Sequence, residues 1–105
     1  MDYAEIRHCL TECRFTDHAR REMETEPLGR IGVEEVLYVL NTGESIEEYP
    51  DDKPYPSALI LGWTVAGRPL HIVCAPVVPE KRLIIITTYE PDPNRWAPDF
   101  RGRKA

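Results

Sequence analysis

Three apolar runs, SALILGWTV at 57–65, PLHIVCAPVV at 69–78 and RLIIITTYE at 82–90, are separated only by the links AGR and PEK. Each run has strand length and is rich in β-branched or aromatic residues. Links that short turn the chain back on itself, and only antiparallel strands can be joined that way. A sheet of consecutive antiparallel strands is therefore the frame that the rest of the chain must fit. ESIEEY (44–49) reads as a further strand, short and charged as an edge requires. PDDKPYP (50–56), with three prolines in seven residues, reads as the loop before the main runs.

Ahead of this frame the apolar period is helical. Tyr3, Ile6, Leu10 and Cys13 make one stripe, which predicts a first helix over 2–13. Phe15, Ala19 and Met23 recur every four residues in a second helix, capped by Thr16 or Asp17 and stopped by Pro27 and Gly29. Val33, Val36, Leu37 and Leu40 mark a third, with Gly32 as its cap, Glu34 and Glu35 in its first turn and Gly43 at its end. The fold class expected is α+β, with N-terminal helices packed on one face of a mostly antiparallel sheet of three to four strands. A chain of 105 residues is expected to be a single domain, 1–105. Its tail, 91–105, is broken by prolines and reads as irregular, strapped down by Trp96 and Phe100.

The net charge of −5 counts against broad, non-specific nucleic-acid binding, which depends on neutralising phosphates. The final stretch RWAPDFRGRKA departs from that balance, with Arg95, Arg101, Arg103 and Lys104 against Asp99. No apolar run approaches the ~20 residues of a membrane helix, and MDYAEIRHCLTEC contains no signal-peptide core. A cytoplasmic protein is expected. Cys9, Cys13 and Cys74 are odd in number and are expected to form no disulfide framework. With His8, His18 and His71 the only histidines, no metal and no cofactor is expected.

Strand parity selects the candidate site. If Ala66–Gly67 is a two-residue turn, His71 falls opposite Gly62. If Pro79–Lys81 is the next loop, His71 falls opposite Tyr89. Leu59, Leu61, Trp63, Leu70, Ile72, Cys74, Ile84 and Ile86 then face the core. His71 and Tyr89 lie on the other face beside a gap at Gly62. In FTDHARREM (15–23), His18 sits in the first turn of the second helix, where the positive end of the helix dipole favours a neutral imidazole. Glu22 lies one turn on and Arg21 beside it. Each feature also has a plain structural reading: His18 as a solvated flank, His71 as a half-buried, hydrogen-bonded core histidine.

FTDHARREM, IGVEEVLYVLNTGESIEEYPDD, LGWTVAGRPLHIVCA and LIIITTYEPDPNRW, taken in order, resemble a bacterial family of small domains of unknown function. The resemblance covers about 15–96, and that family is in turn similar to the RelE, ParE and BrnT type of toxin domain. It implies a RelE-like fold and one of two activities. RelE-like toxins cleave messenger RNA on the ribosome and are silenced by an antitoxin protein; ParE-like relatives act on gyrase and cleave nothing. As a metal-independent ribonuclease, the chain would use His18 or His71 as acid or base, Arg21 for the phosphate and Tyr89 as a positioning hydroxyl. Arg68 and Trp96 would bind substrate. Its partners would be RNA or the ribosome and an antitoxin. The alternative is a non-catalytic protein-interaction domain of the same fold. RelE-type nucleases are basic, and this chain is acidic.

Overall fold

A computed structural model describes residues 1–104; Ala105, the last residue of the expected tail, lies outside the described residues. The chain runs α1 (Tyr3–His8), β1 (Cys13–Phe15), α2 (Asp17–Thr25), α3 (Val33–Thr42), β2 (Glu44–Tyr49), β3 (Ser57–Trp63), β4 (Pro69–Val77) and β5 (Arg82–Tyr89). The strands form one sheet in the order β1-β5-β4-β3-β2. The fold is α+β, and β2 to β5 pair antiparallel in sequence order. The expected three to four strands are corrected to five, in a mixed sheet, because Cys13–Phe15 pairs in parallel with Leu83–Ile85. Among the described residues no helix is long and apolar enough to cross a membrane.

The extra strand comes out of the expected first helix, which stops at His8. Its apolar stripe is sound, since Ile6 and Cys9 are buried. Cys13, however, reaches the core from an extended backbone, with Phe15 two residues on packing the same way. The reason lies in β5, whose outer edge would otherwise hold unpaired backbone groups. The Leu83 N–H donates to the Glu12 carbonyl at 2.8 Å, and the Thr16 N–H donates to Ile85 at 3.0 Å. The other helices follow the sequence more closely. Thr16 caps α2 by accepting from the Ala19 N–H at 3.1 Å, and Glu35 accepts from the Gly32 N–H at 2.9 Å at the start of α3. The buried stripe of α3 is Val36, Val39 and Leu40; Val33 and Leu37 stay on its exposed flank.

Two turns decide which side chains share a face. Trp63 lies opposite Pro69, and the Thr64–Arg68 pair beyond them closes a three-residue loop at 65–67. The Gly67 N–H donates to the Thr64 carbonyl at 2.9 Å, and the Thr64 N–H donates to Arg68 at 2.8 Å. Gly67 takes φ 83° at the position where a three-residue hairpin loop needs the left-handed conformation. One added loop residue exchanges the two faces of β3. Leu61, not Gly62, lies opposite His71, and Ile60, not Leu61, meets Ile72 under the helices. In β5, Thr87 pairs with Val73 but Ile85 with Cys74, so Ile86 is the extra residue of a bulge. Leu83 and Ile85, rather than Ile84 and Ile86, therefore enter the helix-side core.

Helices cover one face of the sheet, and the tail covers the other. On that second face the Arg101 guanidinium meets Glu44, Arg103 meets Glu47, and Trp96 and the Phe100 carbonyl meet His71. Gly62 is not a gap on this face. It lies on the helix side, where a Cβ would meet Val39 Cγ1 at 2.8 Å, and its bareness lets α3 approach β3. Gly62→Ala should therefore overpack this contact and cost about 1–3 kcal/mol of stability. Urea denaturation checks this; an unchanged midpoint would mean that α3 moves aside freely.

Candidate functional site

His71 occupies the middle of β4, between β3 and β5, and no part of it is exposed to solvent. A buried imidazole needs partners for both nitrogens. Nε2 lies 2.8 Å from the Phe100 carbonyl oxygen, and Nδ1 lies 3.1 Å from the Tyr89 hydroxyl. A carbonyl only accepts, so Nε2 carries the proton. The neutral ring then presents a lone pair at Nδ1, and the Tyr89 hydroxyl donates to it. Burial lowers the pKa of His71, against the opposing pull of the Phe100 carbonyl and Glu47. Burial also pushes the Tyr89 phenol up to about 12. At neutral pH both groups are uncharged, and each satisfies the other.

The tail completes the site from above. Trp96 meets the His71 ring edge-on, with centroids 4.3 Å apart and planes at 82°. The Arg103 guanidinium lies over the Trp96 ring, 4.6 Å from its centroid, and donates to Glu47 at 2.6 Å. Tyr49 donates to the same carboxylate at 2.6 Å. Burial disfavours the Glu47 anion, but these two donors outweigh it and hold the carboxyl below its usual range. Beside this cluster opens a cleft of about 720 Å³, lined by Tyr89, Glu90, Asp92, Asn94, Arg95, Trp96, Arg103 and Lys104.

Of the residues singled out in the sequence, His71, Tyr89 and Trp96 come together. His18 and Arg21 do not make contact with them. His18 is exposed, with Nε2 3.3 Å from Glu22. The same Glu22 oxygen accepts the Thr88 N–H at 3.0 Å, so His18 stands at the outer edge of β5, and the polar contacts of His71 go elsewhere. Arg21 is exposed and has no side-chain partner among the described residues. Arg68 is fully engaged: its three nitrogens donate to Glu90, to Glu35 and to the carbonyls of Gly29 and Arg30, tying the start of β4 to the α2–α3 loop. A phosphate would have to displace those partners.

Sequence reasoning missed Phe100, Glu47 and Tyr49 as partners in the site, and Arg95 and Lys104 as cleft residues. The basic tail of an acidic chain was a usable signal for the two cations. Phe100 contributes a backbone carbonyl, which no side-chain pattern can reveal. The arrangement has little capacity for proton transfer, since neither His71 nitrogen is free to take or give a proton to a bound molecule. Among the described residues no group of three His, Cys, Asp or Glu side chains is placed to hold a metal ion.

A family model described as "Domain of unknown function (DUF4258)" matches residues 15–90. That span holds β2 to β5 with α2 and α3, takes in only Phe15 of β1, and stops before the tail. No curated protein and no solved structure matches the chain.

The tautomer has two measurable consequences. Tyr89→Phe leaves the His71 lone pair buried without a donor and should cost about 1–3 kcal/mol in a urea titration. The pH dependence follows from the lowered pKa of His71. The unfolded chain takes up a proton as pH falls through about 6.5 while the folded chain does not. His71 therefore contributes fully above that pH, and its contribution is lost as pH falls towards the folded value. Histidine NMR should show protonated Nε2 at pH 7.5, and the urea midpoint should drop between pH 7 and 5.5. A His71→Gln variant should lose most of that slope.

Proposed function

Because the chain belongs to the family described as "Domain of unknown function (DUF4258)", which brings no activity with it, we propose that it is a non-catalytic protein-interaction domain of RelE/ParE-like fold, acting in the cytoplasm. The observation that carries this reading is the state of His71. It is wholly buried, with both ring nitrogens bonded within the chain. An acid–base residue for phosphodiester cleavage must reach the proton it moves. β2 has a neighbour on one side only, so its outer edge is open to a strand from a partner such as an antitoxin protein.

A second reading keeps one supporting observation. His18 is exposed beside Arg21, with Glu22 to orient it. A metal-independent ribonuclease acting on RNA or the ribosome would rely on that pair, with His71, Tyr89, Arg68 and Trp96 as structural support rather than as reacting groups. Controlled expression with growth and messenger-RNA readouts separates the two readings. The interaction domain predicts no cleavage by the purified protein, with or without ribosomes, and no difference on His18→Ala. Messenger-RNA cleavage by the parent that is lost in His18→Ala or His71→Ala, with the fold intact, overturns the proposal.

A further inference from the structure

The tail folds back on itself as a short antiparallel ribbon. Trp96 and Arg103 are direct partners across it. The Lys104 N–H donates to the Arg95 carbonyl at 2.9 Å, and the Ala97 N–H donates to Gly102 at 2.7 Å. Trp96–Arg103 is thus a pair without hydrogen bonds of its own, in which side chains approach most closely. Alternation along both arms sets Arg95 opposite Lys104. Like charges in that position repel. Both side chains line the 720 Å³ cleft, and neither has an ion pair among the described residues. Neither acid of the cleft is ion-paired to them. Glu90 is bound to Arg68, and Asp92 accepts the Asn94 N–H at 2.8 Å.

We propose that this cleft is a binding site for a small phosphomonoester, with the phosphate held between Arg95 and Lys104. A monoester carries nearly two negative charges at neutral pH and so matches the two unpaired cations, whereas a diester carries one. Three acceptor oxygens also suit the two cations together with the Asn94 amide. The volume falls within the ~300–1,000 Å³ of small-ligand pockets and exceeds what a bare ion fills. The half-buried Tyr89 supplies an aromatic surface for the organic part. The site is separate from the open β2 edge proposed above and does not depend on it.

Amide NMR titration of the full chain tests this, with adenosine monophosphate, inorganic phosphate and the diester adenylyl-adenosine as probes. Adenosine monophosphate should shift the amides of residues 89–96 and 102–104. It should bind at least about tenfold more tightly than either other probe. Lys104→Glu turns the cross-strand repulsion into attraction; it should keep the native amide spectrum and lose binding at least about tenfold, as should Arg95→Gln. The proposal is overturned by the absence of shifts with adenosine monophosphate, by equal or tighter binding of either other probe, or by unchanged affinity in Lys104→Glu.

Discussion

The outer edge of β5 has to be hydrogen-bonded along its length, and three different kinds of partner do it. β1 serves residues 83–85. The Thr16 hydroxyl then donates to the Ile86 carbonyl at 3.1 Å. Beyond that, Glu22 accepts the Thr88 N–H and Glu26 accepts the Glu90 N–H, each at 3.0 Å. Glu22 of α2 and Glu26 just past its end thus stand in for the strand that β1 is too short to provide. A buried N–H left unpaired costs about 1–3 kcal/mol, so these bonds hold α2 beside β5 and fix what its surface can offer. Glu22 faces the sheet edge for this reason, and His18, one turn earlier, follows it there.

The second constraint is His71. A polar ring at the centre of a sheet is tolerated only when both of its nitrogens are satisfied. One partner, Tyr89, comes from the neighbouring strand; the other is a tail carbonyl. Fold and tail are therefore coupled through one imidazole. Arg103 reinforces the coupling by joining Glu47 on β2 to the Trp96 ring. The exposed ion pairs of the tail contribute little by themselves; burial of Trp96 and the bond to His71 are what anchor it.

Much of the architecture was legible because it rests on local periodicity. Helices α2 and α3, the edge strand β2 and the three hairpin-linked strands all follow from apolar spacing and from turn residues. The facing of His71 and Tyr89 came out as expected because two departures cancel: Val77, not Val78, lies opposite Arg82, and Ile86 adds one residue on the other strand. What escaped was non-local or hung on a single residue. β1 exists to pair with a strand some seventy positions away, so locally Cys13 reads as the end of one helix and Phe15 as part of the next. Gly67 could close a two- or a three-residue loop, and that choice alone exchanged the faces of Gly62 and Leu61. The candidate site was legible only through side chains. His71, Tyr89 and Trp96 could be named from motifs, whereas the Phe100 carbonyl and the cross-strand placement of Arg95 and Lys104 depend on how the tail folds back.

The position of Phe100 also bears on the order in which the molecule can be completed during synthesis. The hairpins from β2 to β5 join neighbours in sequence and can pair as soon as they leave the ribosome. His71 cannot be settled then, because its Nε2 partner follows 29 residues later. Until that segment emerges, the sheet carries an unpartnered imidazole N–H on a face also bearing Leu59 and Leu61. Docking of the tail is thus the event that turns a nascent, half-covered sheet into a finished domain.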